Sequence, residues 1–275
     1  IEYGVGDRVL IRDGLGQTQV EQYVFQNGEV LTQTDLIARV GFATDPVHSS
    51  ISSPDQMGVF GTEQNDRLIS DPAGGYFYPT QDDFMRGLGG DDWLESFAGD
   101  DALYGDAGND TLMGGAGDDY LNGGDGADTL LGGAGDDTVD GGAGFDILSY
   151  EGATGAVTIN LAAGTASGAD GDDTFVSIEG VIGSSFADVL IGDAGDNRID
   201  GGAGNDTVAY DDRAMTSGVT ASLATGTSSG GDGADTLVSI ENLIGSRFAD
   251  TLIGDMGDNR IDGGAGNDYL EGGGG

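Results

Sequence analysis

The chain has 275 residues, 49 of them acidic and 9 basic, for a formal charge of -40. The acids are 40 Asp and 9 Glu, the bases are all Arg, 55 residues are Gly and none is Cys. That balance repels nucleic acid and anionic lipid and attracts cations, the missing cysteines exclude disulfides and thiolate metal sites, and no apolar run approaches membrane-spanning length.

Residues 1–60 stand apart, with three Arg against eight acids, a net -5 that leaves -35 for the rest. "VEQYVFQNGEVLTQ" has strand-like segments on either side of Asn27-Gly28, a pair that favours a type I′ hairpin. "TDLIARV" suits a short helix capped by Thr34. "DPVHSSISSPDQ" at 45–56 is a linker by composition, and His48, the one histidine, lies in it with no partner pattern. We expect residues 1–60 to form a small β-rich segment and linker.

A repeat begins at 61. One isolated unit, "GTEQNDRLI", fills 61–69, and "SDPAGGYFYPTQDD" interrupts it as an expected surface loop. From 87 to 149 seven consecutive units follow G-G-x-G-x-D-x-U-x, where U is large and apolar. The sixth position holds Asp92, Asp101, Asp110, Asp119, Asp128, Asp137 and Asp146; the eighth holds Leu94, Leu103, Leu112, Leu121, Leu130, Val139 and Leu148. Units return at 168–176, three from 183 to 209, one at 230–238, and three from 245 to 271, sixteen in all.

A longer period sits on top, since 141–200 resembles 201–262 with two extra residues in the second copy. Each copy opens on a stretch without the turn signature. Val157, Ile159 and Leu161 alternate there, as do Val219, Ala221 and Leu223, which reads as strand. We expect these to be larger coils of one stack, dividing the repeats into 61–149, 150–209 and 210–275. The closing run of glycines looks like another unit cut short, so the chain reads as a segment of something longer.

Six glycine-rich residues form a turn, because glycine reaches φ > 0 without a Cβ penalty. The last three residues form a strand with one apolar side chain inward. Turn, strand, turn, strand makes an 18-residue coil, and stacked coils make a two-sheet parallel roll. Two buried side chains per coil are too few to offset the entropy of ordering it, and stacked aspartates repel. The carboxylates name what makes up the difference. Asp92, Asp110, Asp128 and Asp146 line one edge, and Asp101, Asp119 and Asp137 the other. Paired carboxylates with turn carbonyls make an all-oxygen cage, which favours Ca²⁺.

This pattern resembles the RTX family of calcium-binding nonapeptide repeats, over most of 61–275. The resemblance implies an all-β, right-handed parallel β-roll with several Ca²⁺ ions in its turns. It also implies secretion from a Gram-negative bacterium through type I machinery, with no catalytic residue in this chain. The expected ligands are the seven aspartates above with Asp173, Asp188, Asp206, Asp235, Asp250 and Asp268. The expected turn glycines are Gly105 and Gly108, Gly114 and Gly117, Gly123 and Gly126, Gly132 and Gly135, Gly141 and Gly144, Gly201 and Gly204, and Gly263 and Gly266. Pairs 92/110, 110/128, 128/146, 101/119 and 119/137 should hold about five ions, and 188/206 and 250/268 two more. Weak or altered turns are expected at "SFAGDD", at Phe186 and Phe248, which replace the fourth-position glycine, at Asn197 and Asn259, and at Asp66. Three roles stay open: a calcium-folded scaffold, a self-associating surface-layer or adhesin protein, and an accessory module behind an upstream protease, lipase or epimerase. With no lysine there is no P-loop motif, and nucleic acid is not an expected partner.

Overall fold

The structure is a computed structural model describing residues 23–24, 30–31, 58–69, 82–211, 216–231 and 233–274. The chain divides into two units, 1–57 and 58–275. In the first, Tyr23–Val24 and Val30–Leu31 pair antiparallel, Val24 opposite Val30, on either side of Asn27-Gly28. Asn27-Gly28 themselves, the helix expected from Thr34, the linker with His48 and most of the 70–83 loop lie outside the described residues.

The second unit is a roll of two sheets with twelve strands each among the described residues, and no helix. Strands alternate between the two walls. Phe84–Gly89, Ala102–Ala107, Tyr120–Gly126 and Thr138–Gly144 stack in one, and Trp93–Ala98, Thr111–Ala116, Thr129–Ala134 and Ile147–Ser149 in the other. Pairing is parallel with an offset of one coil, Leu130 beside Leu112 and Leu121 beside Leu103. Each eighth-position side chain therefore stands directly above its counterpart 18 residues earlier. That is why Leu94, Leu103, Leu112, Leu121, Leu130, Val139 and Leu148 form a column no more than 1% exposed. Flanking seventh and ninth residues point away from it, as the alternating burial of Thr129–Ala134 records.

The stretches lacking the turn signature depart from the expected wider coils. Val157–Asn160, Thr165–Gly168 and Asp172–Val176 form an antiparallel meander within one sheet. Val219–Ser222, Thr227–Gly230 and Thr236–Val238 form its counterpart within the other. The reversal is local: Gly164 and Gly226 both adopt φ 65°, each donating its N–H back three residues, to Leu161 and Leu223. The inward alternation nonetheless holds, with Val157, Ile159, Val219 and Ala221 buried in the shared core.

Leu121→Ala leaves a void between Leu103 and Val139 and should destabilise the roll by about 2–5 kcal/mol. Urea unfolding at fixed, saturating Ca²⁺ measures this. A loss below about 1 kcal/mol would show that the column does not act as a packed core.

Candidate metal centres

Tight turns draw the sixth-position aspartates beneath the backbone. The seven from Asp92 to Asp146 are at most 3% exposed. Each uses one carboxylate oxygen to tie its coil to the one before. The Asp92 N–H donates to Asp110 Oδ1 at 2.7 Å, Asp110 N–H to Asp128 Oδ1 at 2.7 Å, and Asp128 N–H to Asp146 Oδ1 at 2.8 Å. On the opposite edge Asp101 N–H donates to Asp119 Oδ1 at 2.8 Å and Asp119 N–H to Asp137 Oδ1 at 2.9 Å. The structure thus brings together all five pairs that the 18-residue spacing places.

The second oxygen of each is left over. Oδ2 of Asp92, Asp101, Asp110, Asp119, Asp128, Asp137 and Asp146, and of Asp206, is buried without a hydrogen-bond partner. A buried ionised oxygen without a partner is costly. The leading glycine explains where these oxygens lie. A Cβ on Gly105 would sit 2.3 Å from Asp110 Oδ2 and 2.5 Å from the Gly123 carbonyl oxygen. At Gly123 the distances are 2.3 Å to Asp128 Oδ2 and 2.5 Å to the Gly141 carbonyl oxygen. The space a side chain would take at position one is thus held by a bare carboxylate oxygen and a carbonyl of the next coil. Gly114 repeats this on the other edge with Asp119 Oδ2 and the Gly132 carbonyl oxygen, and a Cβ on Gly132 would lie 2.0 Å from Asp137 Oδ2. At position four, Gly126 at φ 151° would place a Cβ 1.6 Å from the Gly108 carbonyl oxygen, so the stacked backbones leave room only for glycine.

Among the described residues no three Asp, Glu or His side chains converge on one point. The donors are instead two carboxylates shared between coils plus backbone carbonyls, all oxygen. These hard, negatively charged oxygens fit Ca²⁺, which takes six to eight such ligands in flexible arrangement.

Other aspartates expected to behave alike prove different. Asp188 and Asp250 still accept at the coil edge or tie to the next coil, Asp188 N–H reaching Asp206 Oδ1 at 2.8 Å and Asp250 N–H reaching Asp268 Oδ1 at 3.1 Å. Their own Oδ2 atoms, however, are closed from within the turn. Ser184 N–H and Oγ–H donate to Asp188, and Ser246 N–H and Oγ–H to Asp250. Thr62 does the same for Asp66. Asp173 Oδ2 accepts the Tyr150 hydroxyl at 2.7 Å, and Asp235 Oδ2 the Ser228 hydroxyl at 2.5 Å. Asn197 and Asn259 accept the N–H of Asp193 and Asp255 in their own turns. Phe186 and Phe248 hold the fourth position without positive φ, since the serine bonds set a different turn. At Asp268 the carboxylate is half-buried. These protein donors occupy oxygens that the repeat pattern alone assigns to metal.

The sixth-position row is not alone. Fifth-position side chains form a second ladder running the other way. Asn109 N–H donates to Asp91 Oδ1, Ala127 N–H to Asn109 Oδ1, Asp118 N–H to Asp100 Oδ1 and Asp136 N–H to Asp118 Oδ1. The recurrence of Asp or Asn at that position was the available signal. At position two, Leu88, Phe97 and Asp106 take φ of 80°, 75° and 72° where the four units from 114 to 149 have glycine, each at a cost of roughly 1–3 kcal/mol. In the "SFAGDD" unit Ser96 stands in place of the leading glycine and donates to the carbonyl of Gly114 in the next coil at 2.8 Å.

Burial pushes the bare carboxyls up from their ordinary 3.8, opposed by the inter-coil N–H bond and reinforced by neighbouring aspartates. Asp119 rises to about 8, Asp92 and Asp137 to about 7, and Asp128 and Asp206 to about 6.

A family model for the RTX calcium-binding nonapeptide repeat matches four stretches, 80–112, 113–148, 181–212 and 242–275. The intervals it leaves between 148 and 181 and between 212 and 242 contain the two antiparallel meanders. No curated protein matches the chain.

A carboxyl raised by folding binds its proton more tightly in the folded chain. Without metal, this contribution to stability is full below pH about 4 and is lost as pH rises through 6 to 8. In chelator, ordered β structure should therefore increase as pH falls from 8 to 5. Circular dichroism in chelator at pH 8 and pH 5 tests this, and identical spectra would contradict it.

Proposed function

The chain belongs, over residues 80–275, to the family of RTX calcium-binding nonapeptide repeats, and from this premise we propose that it is an extracellular module that folds on binding Ca²⁺. In this reading it leaves a Gram-negative cell unfolded through a type I channel and then serves as a stabilising scaffold of a larger secreted protein. It has no catalytic role of its own.

The observation that carries the reading is the set of eight buried aspartate oxygens without partners. Without metal, the repeats hold -35 of the formal charge past residue 60 and a core one side chain wide on each wall. Such a chain cannot offset its conformational entropy and stays largely unfolded. Bound Ca²⁺ supplies the positive charge these carboxylates lack, so that binding energy becomes folding energy. Extracellular sites of this ligand class bind at roughly 10⁻⁴–10⁻³ M, so they stand empty in a calcium-poor cytosol. A channel accepts the unfolded chain, and folding outside opposes its return. The closed turns at Asp188 and Asp250 support a division of labour in which the 87–149 run responds most strongly to the ion.

Two outcomes follow. Chelated protein should show little β signal by far-UV circular dichroism and gain it cooperatively over a Ca²⁺ titration; β-rich protein in chelator that does not change up to ~10 mM Ca²⁺ would sink the switch. Asp119 is shared by two pairs in mid-run, whereas Asp268 faces no further coil among the described residues. Asp119→Ala should accordingly raise the midpoint several-fold more than Asp268→Ala, and equal shifts would rule out cooperation between coils.

A further inference from the structure

Two of the eight bare oxygens, on Asp146 and Asp206, have no nonapeptide aspartate in the next coil. Each is followed instead by a glutamate from a Val-Ser-Ile-Glu segment, Glu179 and Glu241. We propose that Asp146 with Glu179, and Asp206 with Glu241, form two further Ca²⁺ sites at the places where the nonapeptide pattern breaks. The proposal rests on the calcium reading above and extends it to residues outside the repeat.

Both glutamates take over the part of the missing aspartate. Asp146 N–H donates to Glu179 Oε2 at 2.9 Å, and Asp206 N–H to Glu241 Oε2 at 2.8 Å. Both aspartates are fully buried, at 0% exposure, with Oδ2 unpartnered. The carbonyl of the next coil is replaced as well. A Cβ on Gly141 would lie 2.0 Å from the Ser177 carbonyl oxygen and 2.8 Å from Asp146 Oδ2. On Gly201 it would lie 2.3 Å from the Ser239 carbonyl oxygen and 2.7 Å from Asp206 Oδ2. This is the arrangement at Gly105 and Gly123, with serine supplying the oxygen that glycine supplies there.

Backbone strain points the same way. Ser177 and Ser239 take φ of 56° and 52°, a region that non-glycine residues seldom enter. In a regular turn the carboxylate lies five positions after the carbonyl donor, Gly105 to Asp110. Here the separation is two, Ser177 to Glu179. Ile178 and Ile240, both buried, anchor the shortened turn, and glutamate's extra methylene extends its reach. The bare Asp146 oxygen borders the same space at Gly141 as the Ser177 carbonyl of the following coil, the coil that also supplies Glu179. A shared divalent cation accounts for the carboxylate, the carbonyl and the longer side chain together. The donors are all oxygen, which selects Ca²⁺ over softer metals.

Crystals of the full chain grown in Ca²⁺ and soaked in Tb³⁺ should show anomalous peaks at Asp146/Glu179 and Asp206/Glu241, as well as between pairs such as Asp110/Asp128. Peaks between nonapeptide pairs alone would overturn this inference and leave the calcium module standing. An absence of peaks at every site would overturn both. In solution, the double variant Glu179→Gln and Glu241→Gln keeps an acceptor for each N–H. It should bind two fewer Ca²⁺ ions by equilibrium dialysis while reaching the native circular dichroism spectrum at high Ca²⁺. An unchanged ion count would refute the two sites.

Discussion

Everything in the roll follows from one carboxylate that is half satisfied. Oδ1 of each aspartate from Asp92 to Asp146 accepts an N–H from the coil before, and Oδ2 lies buried with nothing to bond. The first oxygen fixes the register of the stack, since a slip of one residue would break the edge ladder and turn every core leucine outward. The second makes that register conditional. A chain that aligns its coils by this bond also assembles a column of uncompensated negative oxygen, so alignment and cation demand cannot be separated.

Turns that close themselves set off the ones that do not. Serine at 184 and 246, threonine at 62 and tyrosine at 150 each donate a hydroxyl proton to an oxygen that is bare elsewhere. A hydroxyl donor satisfies the oxygen without neutralising it. Such turns hold their shape with less dependence on metal, and they flank or interrupt the stretches where the bare oxygens run consecutively. The roll therefore combines two turn chemistries on one backbone, one fixed by the protein and one completed from solution.

The periodic part of this was legible in the sequence. Aspartate at position six and leucine at position eight recur with a fixed spacing, and that spacing carries over directly into edge pairs such as Asp110/Asp128 and the column through Leu121. What resisted reading depends on side-chain donors that fit no period. Phe186 in place of the fourth-position glycine marks the Asp188 turn as altered; what the pattern does not carry is the Ser184 hydroxyl that closes on the carboxylate once the turn folds around it. Glu179 stands outside the repeat, and its likeness to an aspartate lies in where its oxygen ends up rather than in its place in the unit. The stretches around Val157 and Val219 alternated correctly as strands, yet the reversal at Gly164 and Gly226 turned expected coils into meanders. Alternation specifies a buried face but not which neighbour a strand pairs with.

The two meanders lie in opposite sheets. Each adds two strands, roughly 10 Å at ordinary strand spacing, to one wall and nothing to the facing wall. From Asp172–Val176 to Val219–Ser222 the chain crosses between walls five times, an odd number, so the second meander arrives on the side the first did not lengthen. Both walls finish at twelve strands among the described residues. The sixty-odd residues that the sequence duplicates are thus only half of a level unit. A gene that gained or lost one such block would leave one wall taller than the other. Gain or loss by twos keeps them even, which makes the pair of blocks the natural step by which a roll of this kind can lengthen.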